Sequence, residues 1–308
     1  MKTKALWPGL LLAVLGAIGF SGKAIIVKLA YRHGVDAVTL LMWRMLLALP
    51  FFLVMAWWSG RGKPALTRQD WRDIGVLGFT GYYLASYLDF AGLAYITASL
   101  ERLILYLNPT LVLLLSVVFF RHRLQARQVM ALAISYAGVV AVFAHELHFE
   151  GASTAIGAAL VFASAISYAV YLSLSGKVVQ RLGSLRLAGL ASTVACALCI
   201  AQFALLKPLD SFMVPEPVLW LSLLNSTACT VAPVLMVMMA IARIGAPLSS
   251  QVGMVGPMST LIMGVLILDE PMNGWIVIGT GLVLGGVFLV TFRTSNRAAT
   301  ASSPATRT

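Results

Sequence analysis

The sequence predicts an all-α integral membrane protein, with ten transmembrane helices arranged as two inverted five-helix repeats around a central cavity. Three observations carry the prediction. Of 308 residues, 60% are hydrophobic and 11% charged, with a mean hydropathy of +0.91; a soluble chain is about half apolar and a quarter charged. Ten apolar segments approach the length of about 20 residues that a helix needs to cross a bilayer core. The chain also matches itself when shifted by 148 residues.

The segments run 7–29, 37–58, 74–94, 100–120, 128–144, 154–174, 186–206, 218–240, 247–268 and 272–292. Lys2 and Lys4 precede the first, as in a signal peptide, but it runs on too long, and Ser21-Gly22-Lys23-Ala24 is no small-x-small cleavage site. It is read as a span. The fifth is short. No connection is long enough to hold a soluble domain, so residues 1–145 form the first repeat and 146–292 the second. The end, 293–308, is rich in Ser, Thr and Ala and is expected to be a disordered cytoplasmic tail.

Charge sets the orientation. With the N-terminus inside, 16 of the 22 Lys and Arg fall on the inner side, 4 on the outer side, and Lys23 and Arg44 lie within spans. This bias predicts cytoplasmic N- and C-termini in a cell (inner) membrane. It also accounts for the net charge of +11 without nucleic acid as a partner.

At a shift of 148, Pro109 falls on Pro257, Leu113 on Leu261 and Gly138-Val139 on Gly286-Val287. Five spans per repeat is an odd number, so the second repeat is expected upside down. The turns agree: basic Arg121-His122-Arg123 follows the fourth span, and acidic Asp269-Glu270 follows the ninth. Inverted repeats suit secondary transport, because exchanging the conformations of the halves opens the site to the opposite side.

The stretch Gly22–Ala30, Trp43-Arg44 with Ala48, and Ala98-Ser99 leading to Asn108-Pro109 resembles one repeat of the EamA-type transporters of the drug/metabolite transporter superfamily. Tyr168-Ala169-Val170-Tyr171, Ala246-Pro247, Pro257 and Leu268-Asp269-Glu270 resemble a second copy. The resemblance reaches residue 292. It implies a carrier that exports small metabolites, often amino acids or related compounds, without ATP. Two positions depart from the family pattern: Phe20 stands where a Trp is usual, and Arg121-His122-Arg123 replaces a Gly-Glu-Arg-like turn.

Charges inside spans are functional candidates because burying them in hydrocarbon is costly. Lys23, Arg44 and Asp89 are expected roughly 7–11 Å below the outer boundary, at 1.5 Å per helical residue. Glu101 and Arg102 open the fourth span on the same side. Lys23 or Arg44 would hold a substrate carboxylate, and Asp89 or Glu101 a coupling proton; the bland reading is a structural ion pair. Mid-span Tyr83, Tyr87, Tyr168 and Tyr171, with Tyr82, are candidate cavity lining. Glu101 and Asn108 share a face of the fourth span, with Gln251 as the counterpart in the ninth. Pro109 and Pro257 are candidate hinges, since the carbonyls they free can bind or bend. Asn225, Ser226, Thr227 and Thr230 read as interhelical hydrogen-bond partners.

No paired catalytic acid and base and no nucleotide-binding motif is visible, so neither an enzyme nor an ATP-driven pump is expected, and neither a cofactor nor a metal. The expected partners are a small-molecule substrate and membrane lipid, and a monomer suffices. A multidrug or organic-cation exporter, or a lipid-linked or nucleotide-sugar translocator, is the alternative.

Overall fold

The computed structural model of the protein describes residues 3–120, 126–150, 152–244, 252–253 and 255–286. The helices are α1 (Thr3–Tyr31), α2 (Ala37–Gly60), α3 (Arg68–Leu77), α4 (Ala85–Leu93), α5 (Ala98–Leu105), α6 (Asn108–Phe120), α7 (Ala126–Glu150), α8 (Ser153–Leu182), α9 (Ser184–Leu206), α10 (Glu216–Ser226), α11 (Ala232–Ile244) and α12 (Val255–Leu268). An apolar helix, α13, covers Gly274–Gly286. Gln251, Arg121-His122-Arg123, Ala246-Pro247 and the tail 293–308 lie outside the described residues, as does the side chain of Pro257.

Local chemistry places the helix starts. The Asp36 carboxylate accepts from the backbone N–H of Val38 at 3.0 Å and Thr39 at 3.3 Å, satisfying donors that a first turn leaves orphaned. Thr67 and Asp70 form a reciprocal capping box at α3. Thr97 accepts from Leu100 N–H at the head of α5. The turn between α8 and α9 is made at Gly183, whose φ of +85° favours a residue without a Cβ.

Six helical stretches among the described residues are long and apolar enough to cross a bilayer: Trp7–Tyr31, Ala37–Gly60, Ala98–Leu115, Ser153–Leu182, Ser184–Leu206 and Glu216–Val237. The fifth, ninth and tenth expected spans contain shorter apolar helices, Leu132–His145, Met258–Leu268 and Gly274–Gly286. The third is missing from both sets although it is continuously helical from Arg68 to Leu93. The reason is its polar load: Thr80, Tyr82, Tyr83, Tyr87 and Asp89 dilute its hydropathy. Large apolar side chains such as Trp57, Trp58, Leu205 and Leu266 face outward, as lipid-facing positions must. This is a multi-pass membrane protein.

Two spans carry a π-helical bulge, Gly78–Leu84 between α3 and α4 and Thr227–Val231 between α10 and α11. Shifting the first by 148 residues gives 226–232, which encloses the second. Glycine contacts obey the same shift. A Cβ on Gly9 of α1 would collide with Ile244 of α11, and a Cβ on Gly157 of α8 would lie 2.7 Å from Ile96, which follows α4. Gly9 and Gly157, like Ile96 and Ile244, are 148 residues apart. One contact is therefore built twice, at opposite ends of the bundle.

The fourth span is broken at Tyr106-Leu107, before Pro109 and not at it. Proline has no N–H for the carbonyl four residues back, here that of Leu105. The Asn108 side-chain amide donates to that carbonyl instead, at 2.7 Å.

Candidate functional site

Four charged side chains meet where α1, α4 and α5 converge. Lys23 Nζ lies 2.5 Å from Asp89 Oδ2 and 3.4 Å from Glu101 Oε1. Arg102 Nε lies 3.9 Å from Glu101 Oε2, and Arg102 Nη2 donates to the Phe20 carbonyl at 3.2 Å. Glu101 is fully buried and Asp89 is 2% exposed. Two cations face two carboxylates, so the network is neutral, as a charge cluster in low dielectric must nearly be. It is not saturated: Asp89 Oδ1, both Glu101 oxygens and Arg102 Nε have no hydrogen-bond partner among the described residues. A network with spare acceptors has room for a proton or a substrate donor.

Arg44 stands apart. Its Nε donates to Thr230 Oγ1 at 3.0 Å and its guanidinium lies 5.1 Å from the Phe90 ring centre. Nη1 is buried without a hydrogen-bond partner among the described residues. Of the two cations that could pair with Asp89, Lys23 does so, and Arg44 makes no ion pair within 4 Å among the described residues.

The π-bulges explain how the site is held. A bulge slips the hydrogen-bond ladder and frees carbonyls. Thr80 C=O accepts from Ser167 Oγ at 2.7 Å, and Ala85 C=O accepts from Ser164 Oγ at 2.7 Å, which stitches the third span to α8. In the second bulge Thr230 Oγ1 donates to Asn225 C=O at 2.8 Å while accepting from Arg44.

The tyrosines divide by face. Tyr82 Oη lies 3.2 Å from Tyr171 Oη, and the Tyr168 and Tyr171 rings stack with centroids 5.4 Å apart. Tyr83 and Tyr87 turn the other way and pack against the core that includes Ala24, Leu41 and Phe90. A Cβ on Gly81 would run into the Tyr171 ring, so only glycine lets the third span approach α8 here. Tyr171 is the 148-residue counterpart of Lys23, and Tyr82 that of Thr230. The two halves thus fill equivalent positions with different chemistry, ionic in one and phenolic in the other.

Just beyond the C-terminal ends of α4 and α12 sits a contact the sequence did not disclose. The Glu270 carboxylate accepts from Ala98 N–H at 2.7 Å, Ser99 N–H at 3.2 Å and Ser99 Oγ at 2.6 Å, capping α5 across 172 residues of chain. Arg32 donates to Leu268 C=O at 2.9 Å and Lys28 to Ile96 C=O at 2.9 Å. Glu270 was legible only as an acidic turn residue; its partner is fixed by tertiary structure. Asn108 spends one amide N–H on Leu105, and its Oδ1 has no hydrogen-bond partner among the described residues.

A repeat-built helical membrane bundle with charges gathered inside it defines the class: a membrane transport protein. The comparisons agree. The profile of the EamA-like transporter family matches residues 7–144 and again 155–292, and the chain belongs to that family. The two matches are themselves offset by 148 residues. The chain is 29% identical over 290 residues to an uncharacterized transporter, YcbK, of Bacillus subtilis, covering 92% of this chain and 91% of the relative. An uncharacterized transporter of Archaeoglobus fulgidus is 25% identical over 91% of this chain and 96% of its own. One solved crystal structure of a protein, 18% identical, superimposes with a TM-score of 0.61 over 99% of this chain and 100% of that one, which supports the fold.

Proposed function

We propose that the protein is a secondary carrier exporting a small metabolite, an amino acid or similar zwitterion, across the inner membrane by alternating access. In this reading ten spans form two inverted halves, residues 1–145 and 146–292, with both termini cytoplasmic, and a monomer carries the whole path. The observation that carries it is the neutral, unsaturated network of Lys23, Asp89, Glu101 and Arg102 inside an apolar bundle. Such a cluster is costly to maintain and is commonly retained as an ion or substrate path. Asp89 and Glu101 bear the coupling proton, and Tyr83, Tyr87, Tyr168, Tyr171, Asn108 and Gln251 contribute to the substrate path. Pro109 and Pro257 mark the points where the fourth and ninth spans flex.

The test is a thermal-shift screen of purified protein against amino acids, nucleosides, sugars and organic cations, followed by proteoliposome flux of the compounds that bind. Stabilisation confined to amino acids, with uphill flux driven by a proton gradient, is expected. Asp89→Asn should abolish the uphill component and leave downhill exchange; unchanged proton-driven accumulation would remove Asp89 as the proton carrier. Binding of many unrelated apolar cations would turn the reading into a multidrug exporter.

A further inference from the structure

Beside the paired network of Lys23, Arg102, Asp89 and Glu101, the bundle buries a further cation, Arg44. Lys23 already holds Asp89 and faces Glu101, which also faces Arg102. The excess positive charge therefore falls on Arg44. Arg44 is 7% exposed, with no carboxylate oxygen within 4 Å among the described residues. Asp89 acts on its guanidinium from beyond contact distance, and the thiols of Cys196, Cys199 and Cys229 lie in electrostatic reach as well. Thr230 and the Phe90 face fix the plane of the guanidinium and leave Nη1 without an acceptor. One bond further on, Asn225 is fully buried with both side-chain amide atoms unpaired among the described residues. A buried guanidinium with no carboxylate in contact is unfavourable, and a bound carboxylate supplies both the close charge and the acceptors it lacks.

Resting on the transport reading above, we propose that Arg44 is the anion subsite, which binds the substrate carboxylate, and that Lys23 is a structural and proton-linked partner of Asp89 and Glu101. This deepens the reading by giving the substrate carboxylate a single residue, Arg44 and not Lys23, and makes the carboxylate the recognised group.

The test is thermal-shift titration of the whole protein in detergent with acetate, propionate and L-alanine at constant ionic strength, with methylammonium and glycinamide as carboxylate-free controls. The carboxylates should stabilise the wild type saturably and the controls should not. Arg44→Gln should weaken carboxylate binding at least about tenfold, the scale of a lost charged hydrogen bond. Thr230→Asp places a carboxylate beside the guanidinium; it should raise the melting temperature without ligand and abolish the response to carboxylates. It also serves if Arg44→Gln does not fold. Equal carboxylate affinity in wild type and either variant overturns the proposal, and so does a wild type that no carboxylate stabilises. Arg44-dependent binding with no flux of any carboxylate into liposomes keeps the subsite and removes the transport reading. Flux indifferent to Arg44→Gln removes the subsite and keeps transport.

Discussion

At the residue scale the decisive feature is that Lys23 serves two carboxylates at once. Removing one member of a buried ion cluster leaves the rest uncompensated, which typically costs about 3–5 kcal/mol. Lys23→Ala should therefore lower unfolding stability by about 3 kcal/mol, measured by thermal or chemical denaturation in detergent. Adding Asp89→Asn should recover part of that loss, because the two residues are coupled. An additive double variant would show that the pair does not interact. These residues were legible in the sequence because a charge stands out in an apolar run. Thr230 was legible as an interhelical partner and is one, to Arg44, whereas the Asn225 amide, expected to pair likewise, has no partner among the described residues. Their role depends on a bulge that no periodicity discloses. Tyr82 and Tyr171 were legible as mid-span tyrosines, but only the bulge decides that Tyr82 turns toward α8 while Tyr83 turns away.

At the element scale, the π-bulge between α3 and α4 sets the rotation of everything after it in that helix. A helix turns about 100° per residue, so deleting one residue within Gly78–Leu84 should swing Asp89 away from Lys23. Transport should be lost while the protein still inserts and stays monodisperse, checked by flux and size-exclusion chromatography. Helix caps give a pH signature instead. Asp70 is held below the usual carboxylate range, first by hydrogen bonds from Thr67 and then by Arg181, whose Nη2 lies 2.5 Å from Asp70 Oδ1. Asp36 is lowered too: its burial acts in the opposite direction, but hydrogen bonds from Thr39 and the ion pair with Lys207 outweigh it. Both therefore stabilise the fold fully above the ordinary carboxylate value of about 3.9, and the contribution disappears as pH falls through the lowered folded values. Asp70→Asn should flatten the acid limb of a melting-temperature profile. The span order was readable from hydropathy, whereas the third span's bulge and the fourth span's break before Pro109 were not, because both are settled by contacts with α8 and by Asn108.

At the scale of the whole molecule, Glu270 ties the end of the ninth span to the head of the fourth, joining one half to the other. A Cβ at Gly264 would lie 3.6 Å from Ser99 Oγ, so the two positions approach closely enough to test for a disulfide. The pair Ser99→Cys and Gly264→Cys should crosslink on oxidation, stop flux, and release it on reduction; full flux in the crosslinked protein would show that these ends do not separate during the cycle. The 148-residue repeat was visible in the sequence through prolines and glycines. The same shift sets Lys23 against Tyr171, but what each contacts, carboxylates for one and phenols for the other, came from the structure. That difference has a kinetic consequence. Two chemically identical inverted halves would make the carrier look the same from either face of the membrane. If the carrier works by alternating access, as proposed, an ammonium–carboxylate cluster on one side of the pseudo-axis and phenols on the other would make the two facing states differ in energy, and with them the half-saturation concentrations measured from each side. Detailed balance still requires equal ratios of maximal velocity to half-saturation constant when no gradient is applied. The face that captures its cargo at lower concentration must therefore turn it over more slowly.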